Sequence, residues 1–497
     1  MRVQSSPWDV AVVGGGASGT LLAIHLLRQA RAPFRILLVE RGGQVGQGLA
    51  YSTRSQRHLL NVPAARMGAF AEEPEHFLRW LRQQTPDTEG GDFVPRLRYG
   101  QYLDSVLKES IARAPPGVQL ETQSGEVTST REHGGLVTLT TRGGVELVAR
   151  AAVLALGNAS PADLRVADGG LYTSPRYHRS PWAPGALDGI GEDDTVLLIG
   201  TGLTMVDAVL SLEERGHRGA LHALSRHGLL PHRHPRTVLQ GTYASPGIRD
   251  VLRALRDTGL RDDGLPALEQ PHPIPVRVRA LLRVLRHEVR RATDAGASWR
   301  AVMDALRPVT VPLWQRLDIG ERRRFLRHLR AYWDVHRHRM APDVADGLER
   351  LRTQGRLALH AARVRSFHPD DAGTVRVRVR RRGERREEDL QVHHVVNCTG
   401  PEGDVTRHGH PLLHRLAEEG RVRPDALGLG LDTDRHGALL DANGHAGGRL
   451  FTLGPLRRGE LWETTAVPEI RTQARALSEH LLKRLGRGFI APRRSAG

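Results

Sequence analysis

Residues 10–19 read VAVVGGGASG, and this stretch decides the fold of the chain. Four apolar residues, typical of a buried parallel strand, run directly into three glycines and the start of a helix. Gly14, Gly16 and Gly19 complete the pattern GxGxxG, and Glu40 ends the next apolar run about twenty residues further on. This spacing predicts a strand–turn–helix–strand unit that binds a dinucleotide, because glycines let the backbone approach the pyrophosphate and the helix N-terminus stabilises its charge.

A second copy of this plan follows later in the chain. The apolar run 196–199 leads into Gly200 and Gly202, although Met205 takes the place of the third glycine. Each copy continues into a short alternating meander and a strand that ends in a turn of small residues. These closing turns lie at Gly157 and Gly400. Two copies of one plan indicate paired nucleotide domains, and electron transfer from a nicotinamide to a flavin is the expected use of such a pair.

The expected fold class is α/β, with two Rossmann-like dinucleotide-binding domains (FAD and NADPH), antiparallel meanders and a helical insertion. Both ends of the chain are expected to form the FAD domain. The predicted segments are 1–165 and 401–497 for the FAD domain, 166–240 and 346–400 for the NAD(P) domain, and 241–345 for a helical cap. Residues 42–100 are expected to be irregular, and a loop of this length in a compact domain is usually functional.

The composition excludes several kinds of site. Hydrophobic residues make up 39% of the chain, but there is no run of about eighteen apolar residues, so no membrane span is expected. The first strand is predicted to start near Trp8, which leaves no room for a signal peptide and predicts a cytoplasmic protein. Cys398 is the only cysteine, and this excludes an intramolecular disulfide, a CxxC electron relay and a four-cysteine metal site.

The net charge of +17 comes almost entirely from arginine, because Lys108 and Lys483 are the only lysines. The arginines are spread along the chain, so we expect neither a nucleic acid nor a membrane as a partner. The densest basic run, 376–386, begins with alternating Val and Arg, typical of a strand with one wet face. No metal site is expected, because two candidate histidine pairs lack a carboxylate or cysteine partner. These pairs are His232 with His234 and His336 with His338.

The motifs name candidate cofactor-binding residues in both units. In the first unit these are Gly14, Gly16, Ala17, Ser18, Gly19, Glu40, Arg41 and Gly157. In the second unit they are Gly200, Gly202, Leu203, Thr204, Arg226 and Gly400. Glu40 would accept hydrogen bonds from the ribose hydroxyls, whereas Arg226 stands where an arginine can pair with a 2′-phosphate, which favours NADPH over NADH. The alternative is that Arg226 is one more arginine in an arginine-rich chain.

The segment just before the second glycine turn carries a first resemblance. Tyr172, Ser174, His178 and Trp182 have the spacing of FxGxxxHxxxW, which Baeyer–Villiger enzymes carry at the same place. The chain thus resembles the two-dinucleotide flavoproteins, which include flavin-containing, Baeyer–Villiger and N-hydroxylating monooxygenases. The His and Trp match, and the Phe and Gly do not, which puts Baeyer–Villiger activity itself in doubt. The candidate catalytic residues here are His178 and Arg176, which would gate or stabilise NADP⁺; the alternative is a linker in which His178 only packs.

A closer resemblance covers almost the whole chain. The segments that carry it are 48–53 (GLAYST), 58–63 (HLLNVP) and 461–471 (LWETTAVPEIR). They are similar to a bacterial family described as FAD/NAD(P)-binding proteins. By analogy with related flavoproteins, Asn61, also a candidate catalytic residue, and Val62 would lie by the isoalloxazine, and Gly454 and Pro455 would follow the last strand beside the FAD. A helix starting near Val467 would point its N-terminus at the flavin and stabilise the anionic reduced form. The alternative is that these segments only close the domain.

The function predicted from these features is an FAD-dependent, NADPH-driven monooxygenase that transfers one oxygen atom from O₂ to a small-molecule substrate. One alternative is a flavin-dependent reductase, dehydrogenase or oxidase without oxygen transfer. Another is a flavin-binding redox sensor or scaffold that acts through a protein partner. The predicted cap holds aromatic and basic side chains, among them Trp314 and Trp333, that suit either an acidic or aromatic substrate or plain packing. No oligomeric state is predicted.

Overall fold

A computed structural model of the chain describes residues 6–236, 276–370, 373–407 and 409–486. The chain forms two compact units. Unit 1 combines Met1–Ala159 with Glu402–Gly497, and unit 2 comprises Ser160–Pro401. Each unit contains one parallel-rich sheet with helices, so the predicted α/β class is confirmed. The cofactor assigned to each predicted segment stays a prediction.

The helices and strands fall into three segments of the chain. Those of residues 6–159 are β1 (Trp8–Val13), α1 (Ala17–Gln29), β2 (Phe34–Glu40), α2 (Gly48–Tyr51), α3 (His76–Arg82), α4 (Arg96–Ala112), β3 (Val118–Ser124), β4 (Val127–His133), β5 (Leu136–Thr141) and β6 (Glu146–Leu154). Those of residues 160–401 are β7 (Tyr177–His178), β8 (Val196–Ile199), α5 (Leu203–Glu214), β9 (Leu221–Ser225), α6 (Val278–Asp294), α7 (Trp299–Ala305), α8 (Thr310–Arg316), α9 (Ile319–His328), α10 (Arg330–Arg337), α11 (Pro342–Thr353), β10 (Leu357–Pro369), β11 (Val375–Arg381), β12 (Glu387–Val392) and β13 (His394–Asn397). Those of residues 402–486 are α12 (Pro411–Glu418), β14 (Ala438–Leu440), β15 (Ala446–Thr452), α13 (Arg458–Leu461) and α14 (Val467–Leu485). Short 3₁₀ turns lie at Ala64–Arg66, Gly170–Thr173, Arg307–Val309 and Gly454–Leu456.

The sheet of unit 1 has the strand order β14-β15-β6-β1-β2-β3, with β4 and β5 forming a meander beside β6. β1 runs parallel to β2 and β6, so the carboxyl ends of these strands meet at one edge. Val10 and Val12 pack on the face covered by α1, α4 and α14, while Ala11 and Val13 pack on the other face with α12. Because β1 is covered on both faces, all four of these residues are apolar.

The sheet of unit 2 has the strand order β12-β11-β10-β9-β8-β13-β7. From β10 to β7 neighbouring strands are parallel, and β10, β11 and β12 form an antiparallel meander. Val375, Val377 and Val379 of β11 are fully buried, whereas Arg376 and Arg378 between them face the other side. The prediction of a strand with one wet face is therefore confirmed.

Residues 42–100 were expected to be irregular, and this expectation is wrong in part. The segment contains α2 and α3 and the start of α4, which is 17 residues long. Gly100 lies inside α4, and an interior glycine weakens the sequence signal of a helix. The glycine is required by packing, because a Cβ on Gly100 would lie 2.9 Å from the carbonyl oxygen of Tyr51.

The predicted cap, 241–345, is helical where the structure describes it. Helices α6 to α10 fall within residues 278–337, and α11 begins near the end of the predicted cap. The apolar positions that predicted a further helix lie outside the described residues. These are Val251, Leu252 and Leu255.

Two kinds of feature are absent from the described ranges. No helix in them is long and apolar enough to cross a bilayer. No group of three or more His, Cys, Asp or Glu side chains in the same ranges is placed to hold a metal ion.

Candidate functional site

The first glycine turn joins β1 to α1 and lies at the carboxyl edge of the unit 1 sheet. Gly14 has a φ of +105°, which favours glycine, and a Cβ there would overlap the carbonyl oxygen of Ala155. A Cβ on Gly19 would overlap the carbonyl oxygen of Gly14. These two glycines are therefore required by the turn itself, whether or not a ligand is present.

Gly16 has a different reason to be glycine. Its φ is −67°, and the nearest atom to a Cβ there would be the Cα of Gly48 at 3.4 Å, an ordinary contact. Gly16 is the N-cap of α1 and has no side chain to cap the first amides of the helix, which include those of Ala17 and Ser18. The first turn of α1 is thus suited to an anion such as a pyrophosphate.

Glu40 holds the edge of this turn. Its Oε2 accepts a hydrogen bond from the backbone N–H of Gly15 at 2.6 Å, and its Oε1 accepts one from Gly42 at 3.0 Å. A carboxylate has further lone pairs, so these two bonds leave room for a ribose hydroxyl. Arg41 follows in an exposed turn. Gly157, the predicted closing turn after β6, has a φ of +69°.

The C-terminal part of the chain comes to the same place. Gly454 has a φ of +76°, and a Cβ on it would lie 2.9 Å from the Oγ of Ser18. Thr464 donates a hydrogen bond to the Gly454 carbonyl at 2.8 Å, and the Gly454 N–H donates to Gln473 at 3.0 Å. Gly454 and Pro455, which share a 3₁₀ turn, are therefore fixed against the first turn of α1.

The helix α14 begins at Val467 with a proline in its first turn, as the resemblance implied. Arg471 of this helix donates a hydrogen bond to the carbonyl of Gly68 at 2.7 Å. This bond ties the helix to the loop that contains Asn61 and Val62, both half-buried. The structure thus links the first turn of α1, Gly454, the start of α14 and this loop. The roles of the linked residues towards a flavin stay predictions.

Sequence reasoning missed three residues of this arrangement. Thr464 and Gln473 bond to each other at 2.7 Å and fix Gly454, and Arg471 holds the loop. Thr464 and Arg471 lie in the quoted segment 461–471, but nothing in the sequence assigns them partners. Trp462, in the same segment, has a φ of +58° and a ψ of −66°, a rare and strained γ-turn.

The second glycine turn joins β8 to α5 in unit 2. Gly200 has a φ of +114°, and a Cβ on it would overlap the carbonyl oxygen of Cys398. Gly202, the N-cap of α5, has no described atom within 4 Å of such a Cβ. Leu203 and Thr204, the next two candidates, begin α5. Gly200, like Gly14, is therefore required by packing, whereas Gly202, like Gly16, is a helix N-cap that packing does not require to be glycine.

Two features distinguish this turn from the first. Met205, in the place of the third glycine, is fully buried in the core of unit 2. Thr201 is buried too, and its hydroxyl donates to the Oγ of Ser225 at 2.9 Å.

Gly400, in the closing turn after β13, has a φ of +88°. Burial raises the pKa of the Cys398 thiol, so this cysteine is not a reactive thiolate.

Arg226 directly follows β9, beside the second glycine turn. The Gly200 N–H donates to the carbonyl of Leu224 at 2.7 Å, which places the turn and the end of β9 at one edge of the sheet. Burial, followed by the charges of Arg363 and Arg330, lowers the pKa of Arg226. Among the described residues Arg226 has no acidic partner. An anion such as a 2′-phosphate would satisfy this cation.

The side chains of His178 and Arg176 lie against β13. The Nε2 of His178 is 3.0 Å from the Nδ1 of His394, whose Nε2 is 3.2 Å from a carboxylate oxygen of Asp194. Burial, and then His394, lower the pKa of His178 to about 4, so its ring is neutral near pH 7. Arg176 donates to the carbonyl of His393 at 3.3 Å. This geometry favours the packing alternative, and the gating roles stay predictions.

The aromatic residues of the helical insertion also favour packing. Trp314 is buried, and its ring centroid lies 5.9 Å from that of Phe325. Phe325 in turn lies 6.1 Å from Trp333. These rings form contacts with one another between the helices.

Comparison with known proteins supports this description of unit 1. Residues 11–159 match the profile of a protein family described as FAD-NAD(P)-binding. This part of the chain is thus similar to that family. No curated protein matches the chain by sequence.

Solved structures share the fold of the whole chain at low sequence identity. The ornithine N-hydroxylase of Kutzneria sp. 744 is 16% identical, with a TM-score of 0.60 over 96% of this chain and 100% of that one. The L-lysine 6-monooxygenase of Pseudomonas syringae is 18% identical, with a TM-score of 0.61 over 96% and 99%. The bacillithiol disulfide reductase of Staphylococcus aureus is 13% identical, with a TM-score of 0.54 over 97% and 99%. The fold is therefore shared by proteins with different reactions.

Proposed function

We propose that the chain is an FAD-dependent, NADPH-driven monooxygenase that transfers one oxygen atom from O₂ to a small-molecule substrate. The observation that carries the proposal is the pair of glycine turns in one chain, with a carboxylate fixed beside the first and a cation without an acidic partner among the described residues beside the second. The shared fold with the ornithine and lysine monooxygenases supports it.

Unit 1 would hold FAD. Its pyrophosphate would lie at Gly16 and the first turn of α1, and its ribose hydroxyls would reach Glu40. The partly positive N-terminus of α14, fixed near Gly454, would stabilise negative charge on the reduced flavin. The residues present fit this cofactor, because Gly16 leaves the N-cap of α1 without a side chain and Glu40 keeps lone pairs available.

Unit 2 would hold NADPH. Gly202, where a side chain would meet open space, would let the backbone approach the pyrophosphate, and Arg226 would pair with the 2′-phosphate. When bound, NADPH supplies two electrons and FAD supplies the reaction with O₂, so that one oxygen atom enters the substrate and the other becomes water. A disulfide as electron acceptor within the chain is excluded, because Cys398 has no second cysteine to pair with.

We also propose that the protein works in the cytoplasm and that it binds neither nucleic acid nor a membrane. The basic strand β11 supports this, because Arg376, Arg378 and Arg381 pair with acids on the neighbouring strand, although Arg380 has no ion pair among the described residues. Arg378 contacts Asp389 at 3.1 Å, and Arg381 contacts Glu388 at 2.7 Å. A basic strand neutralised in this way offers little charge to a polyanion.

The test is an oxygen-labelling experiment on the FAD-loaded protein. The protein is supplied with NADPH and ¹⁸O₂ and offered ornithine, lysine and other amines, as named for its structural neighbours, followed by carbonyl compounds. We expect one labelled oxygen atom in a product and NADPH use that rises with substrate. Gly202→Ala, which leaves unit 1 unchanged, is the control and should lower product formation while FAD stays bound.

The main rival is a reductase or dehydrogenase, and the shared fold with a disulfide reductase gives it support. Rapid NADPH oxidation with an organic acceptor and no label in any product would establish it and overturn the monooxygenase. A chain that binds FAD but never oxidises NADPH would indicate the oxidase or the sensor instead.

A further inference from the structure

A cavity of about 430 Å³ opens in unit 2 next to Arg226. Its volume falls within the range of small-molecule sites, roughly 300–1,000 Å³. We call it the arginine pocket, and its lining residues include Arg226, Arg327, Arg363, Arg380, Arg381 and Arg382. Among the described lining residues Glu384 is the only acid. The pocket therefore carries a large excess of positive charge.

The sheet register explains how the cations meet. Ser225 at the end of β9 lies opposite Ala361 of β10, so Arg226 comes level with Ala362, next to Arg363, whose charge acts on it. Arg363 lies directly opposite Arg380 in the antiparallel pair of β10 and β11, and Glu387, opposite Arg380 on its other side, is paired with Arg365. Two like charges at directly opposed positions are destabilising unless something neutralises them. An anion placed between them would do so.

The other arginines of this meander do not share the excess charge. Arg378 is paired with Asp389 and Arg365 with Glu387, each at 3.1 Å. Arg381, which also lines the pocket, is paired with Glu388. In the part of the chain that the structure describes, the remaining pocket arginines have no acidic partner. Charge without counter-charge is thus concentrated in the pocket, as a binding site for an anion requires.

The helical insertion contributes to the pocket as well. Arg327 and His328, at the end of α9, belong to its lining. Arg330, at the start of α10, is one of the charges that lower the pKa of Arg226. The insertion therefore places positive charge beside the end of β9, where a dinucleotide-binding unit receives the adenosine ribose.

We propose that the arginine pocket binds the 2′-phosphate end of NADPH, with Arg363 of β10 and Arg327 of the helical insertion acting with Arg226. The insertion would thus determine the choice between NADPH and NADH. The inference rests on the proposed function, since it assumes that unit 2 holds a nicotinamide dinucleotide.

The test is titration calorimetry on the full-length, FAD-loaded protein with three probes: adenosine 2′,5′-bisphosphate, adenosine 5′-monophosphate and inorganic phosphate. The first two probes differ only in the 2′-phosphate. We expect the bisphosphate to bind about 100-fold more tightly than the monophosphate, because several charge-assisted hydrogen bonds form only with the extra phosphate. Inorganic phosphate should compete only weakly.

The variants are Arg363→Gln and Arg327→Gln, with Arg323→Gln as the matched control. Arg323 lies one helical turn before Arg327 on α9, is equally exposed and does not line the pocket. Arg363→Gln should weaken bisphosphate binding about tenfold and Arg327→Gln about threefold, because each removes one cation from the phosphate. Binding of the monophosphate should stay unchanged in both, and the control should behave as wild type.

Three results would overturn the inference. If both variants bind the bisphosphate as wild type does, the pocket is not the 2′-phosphate site, although the nucleotide site of unit 2 stands. If inorganic phosphate binds as tightly as the bisphosphate, the pocket is a free-phosphate site. If neither nucleotide binds to the wild type, the nicotinamide site of the proposed function fails as well.

Discussion

The two glycine turns of this chain share a backbone plan and differ in the charge placed beside it. At the end of β2, Glu40 accepts a hydrogen bond from the first turn and is part of its structure. At the end of β9, the equivalent position is Ser225, which contacts Thr201 of the second turn, and the next residue, Arg226, faces other cations. An acid suits ribose hydroxyls and a cation suits a phosphate. The same backbone arrangement is therefore suited to two different dinucleotides.

The largest expected effect separates the two kinds of glycine in the first turn. Gly14→Ala should lower the free energy of unfolding by about 3 kcal/mol, because the new Cβ is strained at positive φ and overlaps a carbonyl oxygen. Gly16→Ala is the control: it should cost less than about 1 kcal/mol and still weaken FAD binding. Urea unfolding and FAD titration measure both. Equal losses of stability would contradict the distinction.

The same contrast can be made in unit 2. Gly202→Ala should leave stability within about 0.5 kcal/mol of wild type, because its Cβ meets open space. Its affinity for NADPH should fall about tenfold, since the backbone can no longer approach the pyrophosphate. FAD content should not change. Anaerobic flavin reduction at increasing NADPH gives the affinity, and a wild-type value would remove Gly202 from the site.

Removing the charge of Glu40 and removing that of Arg226 should have different effects on the free energy of unfolding. Glu40→Gln should lower the free energy of unfolding by about 1–2 kcal/mol, because a charge-assisted hydrogen bond to Gly15 becomes a neutral one. Arg226→Gln should leave stability within about 0.5 kcal/mol of wild type, since it breaks no ion pair among the described residues. Both are measured by urea unfolding. A stable Glu40→Gln protein would show that the acid is not part of the turn.

The smallest effect near neutral pH comes from His25 of α1. Burial lowers its pKa to about 4 from the ordinary 6.5. The unfolded chain binds a proton on this histidine at a higher pH than the folded chain does. The free energy of unfolding therefore decreases as the pH falls from about 6.5 towards 4. The expected loss is a few tenths of a kcal/mol at pH 7 and roughly 1 kcal/mol at pH 6.

The variant His25→Phe checks the origin of this loss. It removes the titrating group and keeps a ring next to Phe70, from which His25 now lies 5.8 Å away between centroids. Urea unfolding between pH 7.5 and pH 5 should then show a weaker dependence on pH than in wild type. An unchanged dependence would assign the loss to other groups.

The fold could be predicted from the sequence wherever the signal is local. The runs before Gly14 and Gly200 and the alternation in β11 depend on neighbours in the chain, and all were predicted correctly. The start of α4 was missed because Gly100 weakens the helix signal, and the reason for that glycine is contact with Tyr51, distant in sequence.

The candidate site could be predicted only where a motif fixes the backbone. Gly16, Glu40 and Gly202 follow from spacing alone. The partners of Gly454 did not, because Thr464 and Gln473 reach it only after the C-terminal segment returns to α1. The arginine pocket was missed for the same reason: Arg363 meets Arg226 through strand register, and Arg327 arrives from a separate helix.

We infer that the first turn holds FAD and the second holds NADPH, in one working enzyme. The most direct test is anaerobic titration of the FAD-loaded protein with NADPH while the visible absorption band of the flavin is followed. We expect about one equivalent of NADPH to bleach the band, and Gly202→Ala to require far more NADPH. A band that stays unchanged in the wild type, at any NADPH concentration, would contradict this inference.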